Sequence, residues 1–222
     1  EFTLEQTGVC SALAKKFDLI TVREESGVDL CKRHLGVDAI HVVDPTLLLT
    51  KDDYIDLIKN NNVPMSDGTL FNYLLDPSQA MLCLIRKISL DTGLKTFQIL
   101  PKYNEDHRTK KDVKQRIEDC VYPSPLAWIR AFVDAEMTIV DSFHGTVFSI
   151  IFNKPFWVVG NKERGMSRFT SLLSMFGLEE RLICEDDLDK LDYNRPIDWL
   201  NVNKLLAQKR AQSLEILMKS LE

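Results

Sequence analysis

The sequence predicts an α/β protein built on a Rossmann-like parallel sheet, and three observations point there. Short apolar strand patterns alternate with helical patterns along nearly the whole chain, the signature of βαβ units rather than of a bundle or a sandwich. Helix starts follow strand ends closely, as at Asp76-Pro77 and Ser124-Pro125, where a capping side chain precedes proline at the first helical position. The strand pattern Met137-Thr138-Ile139-Val140 runs straight into Asp141-Ser142-Phe143-His144-Gly145-Thr146, and a new apolar helical run follows.

Taken in order, Val9 to Lys16 reads as the end of a helix and Leu19 to Val22 as a short strand. Glu24 to Leu35 is helical, with acidic residues in its first turn and Gly36 as its stop. His41 to Val43 is a strand that breaks at Asp44-Pro45, and Thr50 is placed to cap a helix through Ile58. Leu70 to Leu75 is a strand. Asp76-Pro77 opens a helix to about Leu90, with Met81, Leu84, Ile85 and Ile88 on its apolar face and Gly93 ending it. Thr96 to Leu100 is the next strand.

Residues 103–123 are highly charged and read as a loop with at most one solvated helix, Lys111 to Asp119. Leu126 to Asp134 is a helix, 137–141 a strand, 146–152 a helix and Phe156 to Val159 a strand. A loop, 160–167, leads to a helix from Phe169 to Phe176. Arg181 to Ile183 is a short edge strand. The terminal helix, Asp198 to Leu221, sets Leu205, Leu206, Leu214, Leu217 and Leu221 on its apolar side.

The turn-rich, aperiodic residues 61–68 are the best linker. They divide the chain into 1–60 and 69–222. The first piece is too short for a whole Rossmann-like domain and reads as the C-terminal remnant of one. The second reads as a full Rossmann-like domain carrying the C-terminal amphipathic helix. An opening of Glu1-Phe2-Thr3 without methionine agrees with a cut chain.

The 222 residues carry a net charge of −5 with 45% hydrophobic residues, a globular composition. Global negative charge argues against a dedicated binder of nucleic acid or anionic membrane. Five scattered cysteines without a C-x-x-C pair fit a reducing cytoplasm. No apolar run reaches the ~20 residues of a membrane span. No His or Cys pair has metal-ligand spacing. The P-loop, G-x-G-x-x-G and Gly-x-Ser-x-Gly motifs are absent.

The chemistry centres on Asp141 to Thr146. Following a strand end, this turn lies on the carboxyl edge of a parallel sheet, where open α/β sheets bind ligands. A helix start there offers N–H donors to an anion, with Ser142, Gly145 and Thr146 as the contacts and Gly145 small enough for close approach. His144 adds an imidazole, whose ordinary titration lies near neutral pH. The plain alternative is a capped helix whose histidine binds a backbone carbonyl. A second cluster, Lys162, Arg164 and Arg168, lies in the loop after the next strand and so on the same edge; it suits phosphate or carboxylate. Arg23, directly after a strand, is a third edge residue, with a local ion pair as its plain alternative.

Several segments together resemble the polysaccharide pyruvyl transferase family. They are Ile20-Thr21-Val22-Arg23-Glu24-Glu25-Ser26, Val43-Asp44-Pro45-Thr46-Leu47-Leu48-Leu49, the Ser124-Pro125 helix start and, most specifically, the run from Val140-Asp141-Ser142-Phe143-His144-Gly145-Thr146 to Pro155-Phe156. The resemblance implies a glycosyltransferase-B-like pair of Rossmann-type domains, of which this chain lacks most of the first. It also implies transfer of a pyruvyl group from phosphoenolpyruvate, the donor substrate, to a sugar hydroxyl pair as a ketal in cell-surface polysaccharide. His144 is the essential histidine it implies, with Arg164 and Lys162 near phosphoenolpyruvate. The implied acceptor is a saccharide or a lipid-linked oligosaccharide, and the place the cytoplasm, including the inner face of the membrane. No metal or further cofactor is called for. An oligomer is compatible, since the terminal helix can pack on its own chain or on another. The competing readings are a nucleotide-sugar glycosyltransferase of the same fold and a non-catalytic sugar-binding domain.

Overall fold

The computed structural model describes residues 3–101, 121–160 and 165–221. In chain order the elements are α1 (Leu4–Ala14), β1 (Thr21–Val22), α2 (Glu25–Leu30), β2 (Ile40–His41), α3 (Lys51–Asn60), β3 (Leu70–Tyr73), α4 (Gln79–Thr92), β4 (Thr96–Phe97), α5 (Pro125–Asp134), β5 (Met137–Val140), α6 (Phe143–Ile151), β6 (Phe156–Gly160), α7 (Ser167–Phe176), β7 (Leu182–Cys184) and α8 (Trp199–Lys219). The α/β class is as the alternation of patterns predicts, with a five-stranded parallel sheet and flanking helices. Compactness divides the chain otherwise than the turn-rich segment does. One unit holds residues 1–50, 160–182 and 197–222; the other holds 51–159 and 183–196.

The first unit contains a two-stranded parallel sheet, Thr21 opposite Ile40 and Val22 opposite His41. Helix α1 starts at a capping box between Thr3 and Gln6. Helix α2 runs on as one wider turn, Cys31–Leu35, and Gly36 stops it in the left-handed conformation (φ +65°) that glycine adopts without strain. Helix α8 is tied to this unit by Ser213, which accepts the Val43 N–H, and by Arg210, which donates to the carbonyls of Leu47 and Leu49. Its buried residues are Val202, Leu206 and Ser213, while Leu214 and Leu221 are exposed. The stripe predicted from leucines alone is thus rotated, because a serine that caps a neighbouring strand occupies a core position.

The second unit holds the five-stranded sheet, ordered β4-β3-β5-β6-β7, apart from the end residues Gly160 and Leu182. Strands β3–β4, β3–β5 and β5–β6 pair in parallel. Side chains alternate across it. Leu70, Leu74, Met137, Ile139, Trp157 and Val159 pack with Met81, Leu84, Ile85 and Ile88 of α4 on one face. On the other face Thr138 bonds Ser149 of α6 at 2.7 Å, and Phe71 packs edge-on against Phe132 of α5 at 4.9 Å. Full burial of both faces explains the near-continuous apolar strands.

Several predicted boundaries shift. Strand β3 is shorter than its apolar run: Leu74 continues the core past the last ladder bond, and Leu75 is exposed. Asp76-Pro77 does not cap α4. Ser78 does, accepting the Met81 N–H, because the Asp76 backbone is held elsewhere, by Asp141. The Ser124-Pro125 start is as predicted, with Ser124 accepting from Leu126 N–H. Helix α6 begins at Phe143 rather than at 146, so Asp141–Thr146 is not a free turn but the cap and first turn of a helix. Arg181 closes a short 3-10 turn, wholly buried, rather than starting β7. The predicted helix from Lys111 to Asp119 lies outside the described residues.

Candidate functional site

The chain order of the strands makes a switch point between β3 and β5. From β3 the chain crosses outward to β4 on one side, then returns to lay β5 against the other side of β3. Loops leaving β3 and β5 at their carboxyl ends therefore part in opposite directions, which opens the crevice where doubly wound sheets take ligands. The residues at that crevice are Tyr73 and the 74–76 loop from β3, and Asp141 to His144 from β5, with Tyr73 in register with Val140.

Asp141 closes the base of the crevice. It is buried, and its carboxylate accepts the N–H of Leu75 at 2.8 and 2.9 Å and that of Asp76 at 2.9 Å. Two charge-assisted bonds from the opposite loop, beside the positive end of α6, hold the carboxylate. Asp141 is therefore a brace across the switch point.

The next residues form the helix cap. Ser142 Oγ accepts the Gly145 N–H at 3.0 Å, and its carbonyl accepts both the N–H and the hydroxyl of Thr146. Ser142, Gly145 and Thr146 are all buried. A β-carbon on Gly145 would lie 2.7 Å from Ser142 Oγ and 3.1 Å from Val140 Cβ, so the position demands glycine for packing on the cap. Every residue of α6 is buried except His144. The imidazole sits edge-on to Phe143, 5.4 Å between ring centres, in the helix's first turn. A core helix thus presents one polar side chain, at its N-terminus and on the ligand edge.

The basic candidates fall otherwise. Lys162 and Arg164 lie outside the described residues. Arg168 is the second residue of α7, in the first unit; its guanidinium lies 5.2 Å over the Phe169 ring, and its Nε is buried without a hydrogen bond among the described residues. Arg23, also in the first unit, donates to Asp44 Oδ2 at 2.7 Å, while Asp44 Oδ1 accepts the Thr46 N–H. The Arg-Glu and Asp-Pro segments, separated in sequence, thus meet at the ends of β1 and β2 through an ion pair with one buried partner, Asp44.

Sequence reading missed three aromatic residues near the switch point. Tyr73 ends β3, half-buried; Trp128 of α5 packs edge-on to it at 5.2 Å and to Phe148 of α6 at 5.0 Å. Tyr122 is exposed. Burial first, then the neighbouring Tyr122 and Asp141, push the Tyr73 phenol pKa above its ordinary value. The signal available in the sequence was an aromatic at the last position of a strand, on the ligand edge.

A doubly wound parallel sheet with a braced switch point, and with His144 exposed in an otherwise buried helix start, defines a Rossmann-like fold. The chain belongs to the polysaccharide pyruvyl transferase family: the family model matches residues 7–163, a span that includes the whole Asp141–Thr146 run. The family indicates a transferase and implies a polysaccharide acceptor. No curated protein and no solved structure matches the chain. Among the described residues no helix is long and apolar enough to cross a membrane.

Proposed function

We propose that the protein transfers a pyruvyl group from phosphoenolpyruvate to a pair of sugar hydroxyls, forming a ketal in cell-surface polysaccharide. The observation that carries this reading is His144, the one exposed residue of a buried helix, in its first turn at the switch point. Family membership supplies the reaction class.

In the proposed reaction the donor's anionic groups meet the positive end of α6. A proton is added to the methylene carbon of phosphoenolpyruvate, leaving an oxocarbenium-like centre at the adjacent carbon. One sugar hydroxyl attacks that carbon, and the C–O bond to phosphate breaks. The second hydroxyl then closes the ketal, so that donor and diol give ketal and inorganic phosphate. Three proton movements are required. An imidazole in this position can carry them as acid and then base. The acceptor is a saccharide or a lipid-linked oligosaccharide, met in the cytoplasm or at the inner face of the membrane.

Calorimetric titration of the full-length protein separates this reading from a nucleotide-sugar glycosyltransferase. Binding of phosphoenolpyruvate that His144→Ala abolishes supports pyruvyl transfer. Binding of a nucleoside diphosphate with no heat from phosphoenolpyruvate overturns it.

A further inference from the structure

The outer edge of β2 brings hydrogen-bonding groups of the first unit to a cavity. Pairing with β1 takes the N–H groups of Ile40 and Val42, which donate to the carbonyls of Ile20 and Val22 at 3.0 and 2.9 Å. The backbone of a parallel strand bonds alternately to its two sides, so the N–H groups of His41 and Val43 point away from β1. Helix α8 covers that side. Ser213 Oγ accepts the Val43 N–H at 3.1 Å. Nothing comparable meets the His41 backbone. Beyond the ladder, and among the described residues, His41 bonds only through its ring, Nε2 donating to the Arg23 carbonyl at 3.3 Å. Beside this edge lies a cavity of about 270 Å³, lined also by α8 and by Met175 of α7. All of its walls belong to the first unit.

Helix α8 turns one stripe to this cavity, since Lys209, Ser213 and Ile216 follow one another at helical spacing. Ser213 is 3% exposed. Its oxygen accepts from Val43, while its hydroxyl proton has no acceptor among the described residues. A buried donor without an acceptor is costly to folding, and a bound acceptor removes that cost. Lys209 makes no ion pair among the described residues. Lys219 also lines the cavity, but Glu215 holds it at 2.6 Å, so those two charges cancel and the balance is positive. Donors and an uncancelled cation select an anion. Val43, Met175 and Ile216 add an apolar wall that inorganic phosphate would leave uncovered. The volume lies just below the ~300–1,000 Å³ of pockets for drug-sized ligands, so the occupant has only a few carbons. We propose that this cavity binds a small aliphatic carboxylate, its oxygens on the Ser213 hydroxyl, the Lys209 ammonium and the His41 N–H, and its tail on the apolar wall. The site is independent of the pyruvyl-transfer reading.

The test is a saturation-transfer NMR titration of the full-length protein with butanoate as the probe and butanamide as its neutral isostere. Wild type binds butanoate saturably and butanamide at least about tenfold more weakly, the difference a charge-assisted contact makes. Ser213→Ala deletes the hydroxyl, and Lys209→Gln removes the charge at an exposed position that folding does not depend on. Each weakens butanoate about fivefold to tenfold, the scale of one hydrogen bond to a charged group. His144→Ala binds butanoate as wild type does, which separates this site from the switch point. The proposal is overturned if wild type shows no saturable butanoate binding or binds butanamide equally well. It is overturned too if Lys209→Gln binds butanoate as wild type does, or if binding is lost in His144→Ala.

Discussion

Asp141, just beyond the end of β5, takes the backbone N–H of Leu75, just beyond the end of β3, onto both of its carboxylate oxygens at 2.8 and 2.9 Å. The same carboxylate also holds the Asp76 N–H. One buried side chain therefore fixes how far the two strand ends part at the switch point. It also explains why α4 starts at Ser78 and not at Asp76.

Removing that brace leaves two backbone donors unsatisfied. Asp141→Ala is expected to cost about 3 kcal/mol of stability, the scale of two hydrogen bonds to a charged group discounted for water entry. Asp141→Asn keeps one acceptor oxygen and costs about half as much. Urea unfolding of both variants checks the order, and an Asp141→Ala protein as stable as wild type would remove the brace from the account.

The glycine of the cap makes a second, sharper prediction. A Gly145→Ala β-carbon collides with Ser142 Oγ and crowds Val140, so the variant loses about 1–3 kcal/mol. Ser142→Ala alone loses about 1 kcal/mol through the missing cap bond. Since the first collision needs the serine oxygen, the double variant is destabilised by less than the sum. Thermal unfolding of the four proteins measures this coupling. Strict additivity would mean that Gly145 is not needed for packing on the cap.

The Tyr73 phenol gives a prediction in pH. Burial, then Tyr122 and Asp141, hold its folded pKa above the ordinary 10.0. A group whose folded pKa is raised keeps its proton more tightly when folded. Its contribution to stability is therefore complete below pH ~10 and is lost as pH climbs through the folded pKa. Phenolate absorbance of wild type minus Tyr73→Phe, compared between native and urea-unfolded protein, should show the later native midpoint. Coincident midpoints would place Tyr73 in open solvent.

Much of this was legible in the sequence, and the rest failed for physical reasons. The alternation of periods gave the α/β class, and Gly36 and Gly93 marked helix ends where left-handed residues stand. The Asp141–Thr146 run marked the junction between β5 and α6 at the carboxyl edge of the sheet, with His144 in it. What the run could not reveal was the division of labour. Asp141, Ser142, Gly145 and Thr146 are spent on one another and on the β3 loop, and that follows only once β3 lies beside β5. Capping at Asp76 failed for the same reason: a partner 65 residues away claims its N–H. The pairing of Arg23 with Asp44 likewise depends on β1 meeting β2. Local propensity is blind to all three, because each is a long-range contact.

The central claim is that His144 at the switch point carries pyruvyl transfer. The most direct measurement is inorganic phosphate released from phosphoenolpyruvate by the full-length protein with a 4,6-diol pyranoside, in wild type and in His144→Ala. His144 is exposed, and an unfolding midpoint measured beside that of wild type shows that the variant is folded. The account predicts phosphate release that depends on the acceptor in wild type and a loss of kcat of about 10²–10⁴ in the variant, the range of acid–base catalysis. A folded His144→Ala protein that releases phosphate at the wild-type rate would contradict it.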